Sequence, residues 1–374
     1  MKMIKQNFNF IPVFQPYLDF KDSFKIAKTI YQKNISGTSP VVANFEQQLS
    51  KMFNRKYAVS VSNGSVALDL ALNVFDFNEE DEVIVPSFTI VSVLSSVLRA
   101  GAKPVFCDVD PYSWNMTAKN IEEKISKKTK AVVMVHTYGL PSEAQKIEDL
   151  CLKNDLFLIE DSAEAHGQVS DNRKCGTFGN VSVLSFYANK HLTTGEGGCL
   201  LTDDINLSDK FKQMRNLDFN NSKRFKHDNQ FWNYRLSSLQ ASLGISQIKK
   251  VNKIIQHKIK LGNQYHNLLE SFEHKLQLPL KEFNNNINHY WVFGLVSKNQ
   301  VPNKIIIENM KNEGIELRPF FYPLHKQPFL NNEYISLKLK NSEFLGDFGF
   351  YIPMGSHINL KKQKYIVNKL SKYI

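Results

Sequence analysis

The sequence predicts an α/β fold, with a large domain built on a mostly parallel sheet flanked by helices and a smaller C-terminal α+β domain. Three observations point there. Short apolar runs of strand length recur between residues 57 and 202, and segments of helical periodicity separate several of them. This is the pattern of repeated strand-helix units whose strands are buried on both faces. Beyond residue 236 the rhythm changes to longer helical spacing with one strand candidate. The length, 374 residues with 42% hydrophobic and 22% charged, suffices for a large core and a second domain.

Taken in order, the opening I-P-V-F-Q-P-Y-L is broken by Pro12 and Pro16 and predicts an extended arm. A helical pattern over 22–33 is interrupted by I-S-G-T-S-P at 35–40. Alternation then begins: a helix over 45–52, a strand at 57–61, a helix over 65–74, a strand at 82–85 and a helix over 91–100. Further strands are predicted at 104–109, 131–136, 157–160, 181–186 and 199–202. Leu236, Leu239, Leu243, Ile248, Val251 and Ile255 fall at helical spacing, which predicts one long amphipathic helix leaving the large domain. A strand at 290–296, a helix over 303–312 and a closing helix over 360–374 complete the small domain. The division expected is 1–250 for the arm and large domain and 251–374 for the small one.

Composition excludes several classes. No apolar run reaches membrane-spanning length, and the start M-K-M-I-K-Q-N-F-N-F lacks the apolar core of a leader, so a cytoplasmic protein is expected. Cys107, Cys151, Cys175 and Cys199 are scattered in or beside apolar segments without a C-x-x-C pair, which predicts buried free thiols and no metal site. The formal charge of +11 is spread along the chain, with no helix that concentrates it among aromatics. That distribution suits anionic small substrates and not nucleic acid.

The stretch from Phe157 to Gly198 carries the chemistry. F-L-I-E-D is a buried strand ending in Glu160 and Asp161, and V-S-V-L-S-F is another that delivers Ser185 and then Lys190. An acid and a lysine thus reach one rim of the sheet. Pyridoxal phosphate needs that pairing: an amine for the Schiff base and a carboxylate that keeps the pyridine nitrogen protonated. Alone, Asp161 reads as a capping acid and Lys190 as a solvated lysine. The glycine-rich T-T-G-E-G-G after Lys190 favours the joint reading, because it marks backbone passing close to something. S-N-G-S at 62–65 follows a strand and opens a helix, where free N–H groups favour an anion; alone it is an ordinary turn with a capping serine.

With these motifs in hand, the chain resembles the DegT family of pyridoxal phosphate-dependent sugar aminotransferases, of the aspartate aminotransferase fold type I. The likeness runs from I-P-V-F-Q-P through D-E-V-I-V-P-S-F-T, P-V-F-C-D-V-D, E-D-S-A-E-A-H-G, S-F-Y-A-N-K-H-L-T-T-G-E-G-G and N-Y-R-L-S-S-L-Q-A to L-R-P-F-F-Y-P-L-H. Within the family, S-F-x-x-N-K-x-x-T-T-G-E-G-G followed by R-P-F-F-Y-P is most similar to the perosamine synthase group, which aminates a 4-keto-6-deoxy sugar on a nucleotide. The resemblance implies that Lys190 forms the Schiff base and Asp161 pairs with the pyridine nitrogen. It implies Glu164 near the phenolic oxygen, and Gly64, Ser65 and Ser185 on the phosphate. Asn233 matches an asparagine that reaches the phosphate from a neighbouring subunit, which implies a homodimer with shared active sites. Arg318 and His325, with His289 and Tyr290, match positions near the sugar nucleotide. L-glutamate is the implied amino donor, and biosynthesis of deoxyamino sugars for lipopolysaccharide O-antigen the implied setting.

Two departures stand out. Ile90 occupies a position that is aromatic in many relatives, and Phe231 and Trp232 precede Asn233 where glycine-tyrosine is frequent. Ile90 implies an aliphatic contact in place of the usual stacking surface on the cofactor ring, while Phe231 and Trp232 bear on the sugar and nucleotide more than on the cofactor. His191, adjacent to Lys190, invites a role as base, yet a neighbouring side chain in sequence commonly points elsewhere. Alternatives are an enzyme acting at another position or on another keto sugar, a dehydratase, and a regulatory protein on the same scaffold. The dehydratase branch carries histidine in place of the Schiff-base lysine, and a regulator has no need to keep Asp161, Ser185 and Lys190 together.

Overall fold

The computed structural model describes residues 10–219 and 225–374; the reading of the extreme amino terminus as leaderless falls mostly on residues 1–9, outside the described residues. A seven-stranded sheet dominates, in the order Tyr57–Val61, Gly198–Thr202, Val181–Ser185, Phe157–Asp161, Thr129–Val135, Glu82–Pro86, Lys103–Cys107. Gly198–Thr202 alone runs against its neighbours, so the sheet is mostly parallel, as its apolar strands predicted. Val59, Val83, Val133, Ile159 and Val183 are inaccessible on one face and Ile84, Val132 and Leu158 on the other. Burial of both faces is what demands helices on both sides.

A second sheet of four strands, Leu276–Gln277, Phe293–Ser297, Gly349–Ile352 and Arg318–Pro319 in that order, belongs to the C-terminal part. Its own core gathers Tyr265, Phe293, Met310, Phe350 and Ile366. The predicted strand at 290–296 begins later, at Phe293, because Tyr290 takes a left-handed φ of 50° that breaks extended structure.

The long helix predicted across residues 236–255 is two helices, Ser238–Ile248 and Val251–Leu269. Apolar periodicity continues through the junction, so the pattern hid the break. The first helix packs on Phe20–Tyr31 and Pro40–Phe53, the second on Leu360–Leu370. At the junction Lys250 leaves the helical register, with its ammonium on Asp22 at 2.7 Å and Asp19 at 2.6 Å. Asp19 and Asp22 also form the capping box of the Phe20–Tyr31 helix, so this ion pair fastens the junction to the start of the chain. All four cysteines are buried free thiols, and burial pushes those of Cys107 and Cys151 up to about 12. Among the described residues no helix is long and apolar enough to cross a membrane.

Candidate active site

Three strands deliver the site to one rim. Tyr57–Val61, Phe157–Asp161 and Val181–Ser185 end there, and Gly198–Thr202 starts there, with Gly198 paired to both Val61 and Ser185. The turn after the first strand opens the helix Gly64–Asn73. Asn63, rather than a serine, caps it by accepting from Val66 N at 2.9 Å. The N–H groups of Gly64 and Ser65 therefore have no acceptor within the helix and face outward at its positive end. Close packing shapes this turn. A Cβ on Gly64 would stand 2.7 Å from Ser185 Cβ, and one on Gly198 would stand 2.3 Å from Asn63 O.

The two acids of F-L-I-E-D part company because strand side chains alternate. Glu160 faces the side of Leu158 and is wholly buried. Its Oε1 accepts from His136 Nε2 (2.9 Å), Ser162 Oγ (3.0 Å) and Gly176 N (2.5 Å), and its Oε2 from Phe178 N (2.9 Å), Gly179 N (3.1 Å) and Ser182 Oγ (2.7 Å). Burial pushes this carboxyl up, but the hydrogen bonds from His136 and the other donors outweigh it and hold it at about 2. Glu160 is thus a structural anion that pins the segment between the two site strands. Asp161 faces the other way, into a cavity.

That cavity, of about 590 Å³, is lined by Gly64, Ser65, Asp161, Glu164, Ser185, Lys190 and Arg318, together with Ile90, Tyr187, Trp291, Phe321 and Tyr351. Asp161 Oδ1 accepts from Ala163 N at 3.0 Å, and burial raises its pKa. Lys190 Nζ lies 3.4 Å from Glu164 Oε1 and 3.7 Å from the centre of the Trp291 ring. Burial lowers the pKa of Lys190, opposed by Glu164 and Asp161, while burial lifts Glu164 to about 7 against the pull of Lys190. Burial thus works toward the free-amine form, the direction a proton-shuttling base requires.

The remaining expected residues are spread more widely. Arg318 is exposed at the cavity, its guanidinium anchored by Glu316 Oε1 at 2.6 Å. His325 is buried outside the lining, between Ser87 Oγ (2.6 Å) and Glu343 Oε1 (3.1 Å). Tyr290 is buried in the core against the four-stranded sheet, beside Phe293 and His266. The carbonyl of His289 accepts from His191 Nε2 at 3.2 Å, which turns His191 away from the cavity. Asn233 is exposed and bridges to Asn216, beside the stacked rings of Phe231, Trp232 and Tyr234. Ile90 lines the cavity with 41% of its surface exposed.

Sequence reasoning did not single out Tyr187, Trp291 and Tyr351. Trp291 adjoins the H-Y pair that was singled out, and the left-handed Tyr290 sends the tyrosine to the core and the tryptophan to the cavity. Tyr351 pairs across the small sheet with Arg318, a relation without a local signature.

These residues fit pyridoxal 5'-phosphate. Free helix N–H groups and Ser185 offer a phosphate seat, Asp161 a buried carboxylate and Lys190 a largely buried amine, all in one cavity. Fold and site together define a pyridoxal phosphate-dependent sugar aminotransferase. The chain belongs to the DegT/DnrJ/EryC1/StrS aminotransferase family, whose sequence profile matches residues 19–371. It is 35% identical over 336 residues to a GDP-perosamine synthase of Vibrio cholerae, covering 89% of this chain and 91% of that one. The GDP-perosamine synthase of Escherichia coli O157:H7 is 32% identical over 364 residues, covering 97% of this chain and 98% of its own. Among solved structures, a Helicobacter pylori aminotransferase involved in pseudoaminic acid biosynthesis superposes with a TM-score of 0.92. It covers 97% of this chain and 99% of its own at 24% identity, a likeness of fold.

Proposed function

We propose that the protein transfers the amino group of L-glutamate to C4 of a 4-keto-6-deoxy sugar carried on GDP. The observation that carries this is the single cavity in which Asp161, Glu164 and Lys190 meet the phosphate turn, in a chain so similar to two GDP-perosamine synthases. Bound pyridoxal phosphate supplies the electron sink that makes the amino-bearing carbon acidic. The protein's residues do the rest. Gly64, Ser65 and Ser185 hold the phosphate, and Asp161 holds the proton on the ring nitrogen by its charge. Glu164 would hold the cofactor on the side of its phenolic oxygen. Lys190 Nζ takes the proton from the α-carbon of glutamate in one half-reaction and delivers one to the sugar C4 in the other. Arg318, on the cavity wall, is the fixed cation for the diphosphate.

The same reading makes the protein a cytoplasmic homodimer serving O-antigen biosynthesis, with domains at 1–250 and 251–374. What supports the dimer is that Asn233 is exposed and lies outside the lining of its own chain's cavity.

The test incubates the protein with pyridoxal phosphate, L-glutamate and GDP-4-keto-6-deoxymannose, and follows the sugar nucleotide by mass spectrometry. Replacement of the keto oxygen by an amino group is expected, with none for Lys190→Ala. Amination at C3, or loss of a sugar hydroxyl without amination, overturns the proposal.

A further inference from the structure

Trp291 is held at every polar atom it has. Its backbone N–H donates to Tyr138 O at 3.2 Å, its indole Nε1–H to Asn189 O at 3.0 Å, and its carbonyl accepts from Lys258 Nζ at 2.9 Å. These anchors come from three separate segments: the loop after the strand Thr129–Val135, the residue before Lys190, and the helix Val251–Leu269. Lys258 is buried and spends a second donor on Met354 O at 2.7 Å, so it ties Trp291 to the segment that follows the strand Gly349–Ile352. Trp291 has 6% of its surface exposed, and the ring centre lies 3.7 Å from the Lys190 ammonium.

The other groups facing Lys190 are titratable. Glu164 lies at 3.4 Å, Asp161 acts on it through charge, and the buried imidazole of His166 feels it as a neighbour. Burial raises both carboxyls, so their capacity to balance an ammonium fades as pH falls. The ring quadrupole does not titrate, and it attracts a desolvated cation strongly.

We propose that Trp291 is a positioning residue whose ring seats the protonated Lys190 side chain whenever that lysine is not joined to the cofactor. The seat keeps Nζ from swinging into the solvent-open part of the cavity and raises its affinity for a proton. This deepens the aminotransferase reading, since it assigns a place for the lysine between its two proton transfers. It does not depend on the identity of the sugar, and its test uses neither sugar nor turnover.

The full-length, cofactor-free protein is labelled with trace acetic anhydride across a pH series, and acetylation of Lys190 is read by peptide mass spectrometry. Only the neutral amine attacks the anhydride, displacing acetate and losing its proton, so the midpoint reports the Lys190 pKa. With Trp291→Leu the midpoint is expected to fall by about one unit or more, and with Trp291→Phe to stay within about half a unit of wild type. An unchanged midpoint in Trp291→Leu overturns the proposal. A second measurement covers a variant that fails to fold: tryptophan emission of the wild type against that of Lys190→Met. The wild type is expected to show a step at the labelling midpoint that Lys190→Met lacks, and identical titrations overturn the proposal. A failed sugar assay with the shifted midpoint intact sinks only the sugar reading.

Discussion

Replacing Glu160 by glutamine separates the two neighbouring acids experimentally. The carboxylate accepts six hydrogen bonds, three on each oxygen. An amide nitrogen at Oε2 faces two backbone donors, Phe178 N–H and Gly179 N–H, that cannot rotate away. At Oε1 it faces Gly176 N–H and His136 Nε2–H, whose imidazole is committed because Nδ1 already accepts from Ser142 N at 3.0 Å. Either orientation strands two buried donors at roughly 1–3 kcal/mol each, a loss of about 2–6 kcal/mol. The pKa gives an independent figure. A drop from 4.5 to about 2 corresponds to roughly 3 kcal/mol of stability at neutral pH. Because the folded pKa is depressed, that contribution is complete above 4.5 and disappears as pH falls through about 2. Urea unfolding of wild type and Glu160→Gln, at neutral pH and at about pH 3, measures both effects. The variant is expected to lose several kcal/mol at neutral pH and less in acid. Equal neutral midpoints, or a gap that does not narrow in acid, would refute the assignment of Glu160 as a structural anion.

Other outcomes follow from the same geometry. Gly198→Ala puts a Cβ 2.3 Å from Asn63 O and 2.8 Å from Gly64 N, so the phosphate turn must move; an absorbance titration is expected to show pyridoxal phosphate affinity reduced at least about tenfold. Among the described residues the buried hydroxyl of Tyr290 has no hydrogen-bond partner, so Tyr290→Phe is expected to raise stability by about 1 kcal/mol in thermal unfolding. If that hydroxyl touched the sugar, KM for the sugar nucleotide would rise instead. Burial lowers Lys258 from 10.5 to about 7, so the unfolded chain holds more protons across that window and stability climbs with pH from 7 to 10.5. Lys258→Met is expected to lose that climb in urea titrations at several pH values. The neutral amine keeps enough N–H groups for Trp291 O and Met354 O, which is why the climb is not offset.

The fold class was legible because burial of strands on both faces writes itself into continuous apolar runs, which periodicity detects locally. Cofactor class was legible for a related reason: F-L-I-E-D and S-F-Y-A-N-K-H-L-T-T-G-E-G-G are contiguous, and strand ends in a parallel sheet share a rim. The break at Lys249 and Lys250 was not, since apolar spacing runs on through it and the cause, Asp19 and Asp22, lies far away in sequence. What the chain by itself determined is the set of elements and the pair of groups, an acid and an amine, that the sheet carries to its edge. Tertiary structure alone decided that Glu160 turns inward to six donors while Asp161 faces the cavity. It alone decided that Trp291, and not Tyr290, meets Lys190, and that Tyr351 lies across from Arg318. Those choices depend on φ at one residue and on pairings between distant strands, which local pattern does not encode.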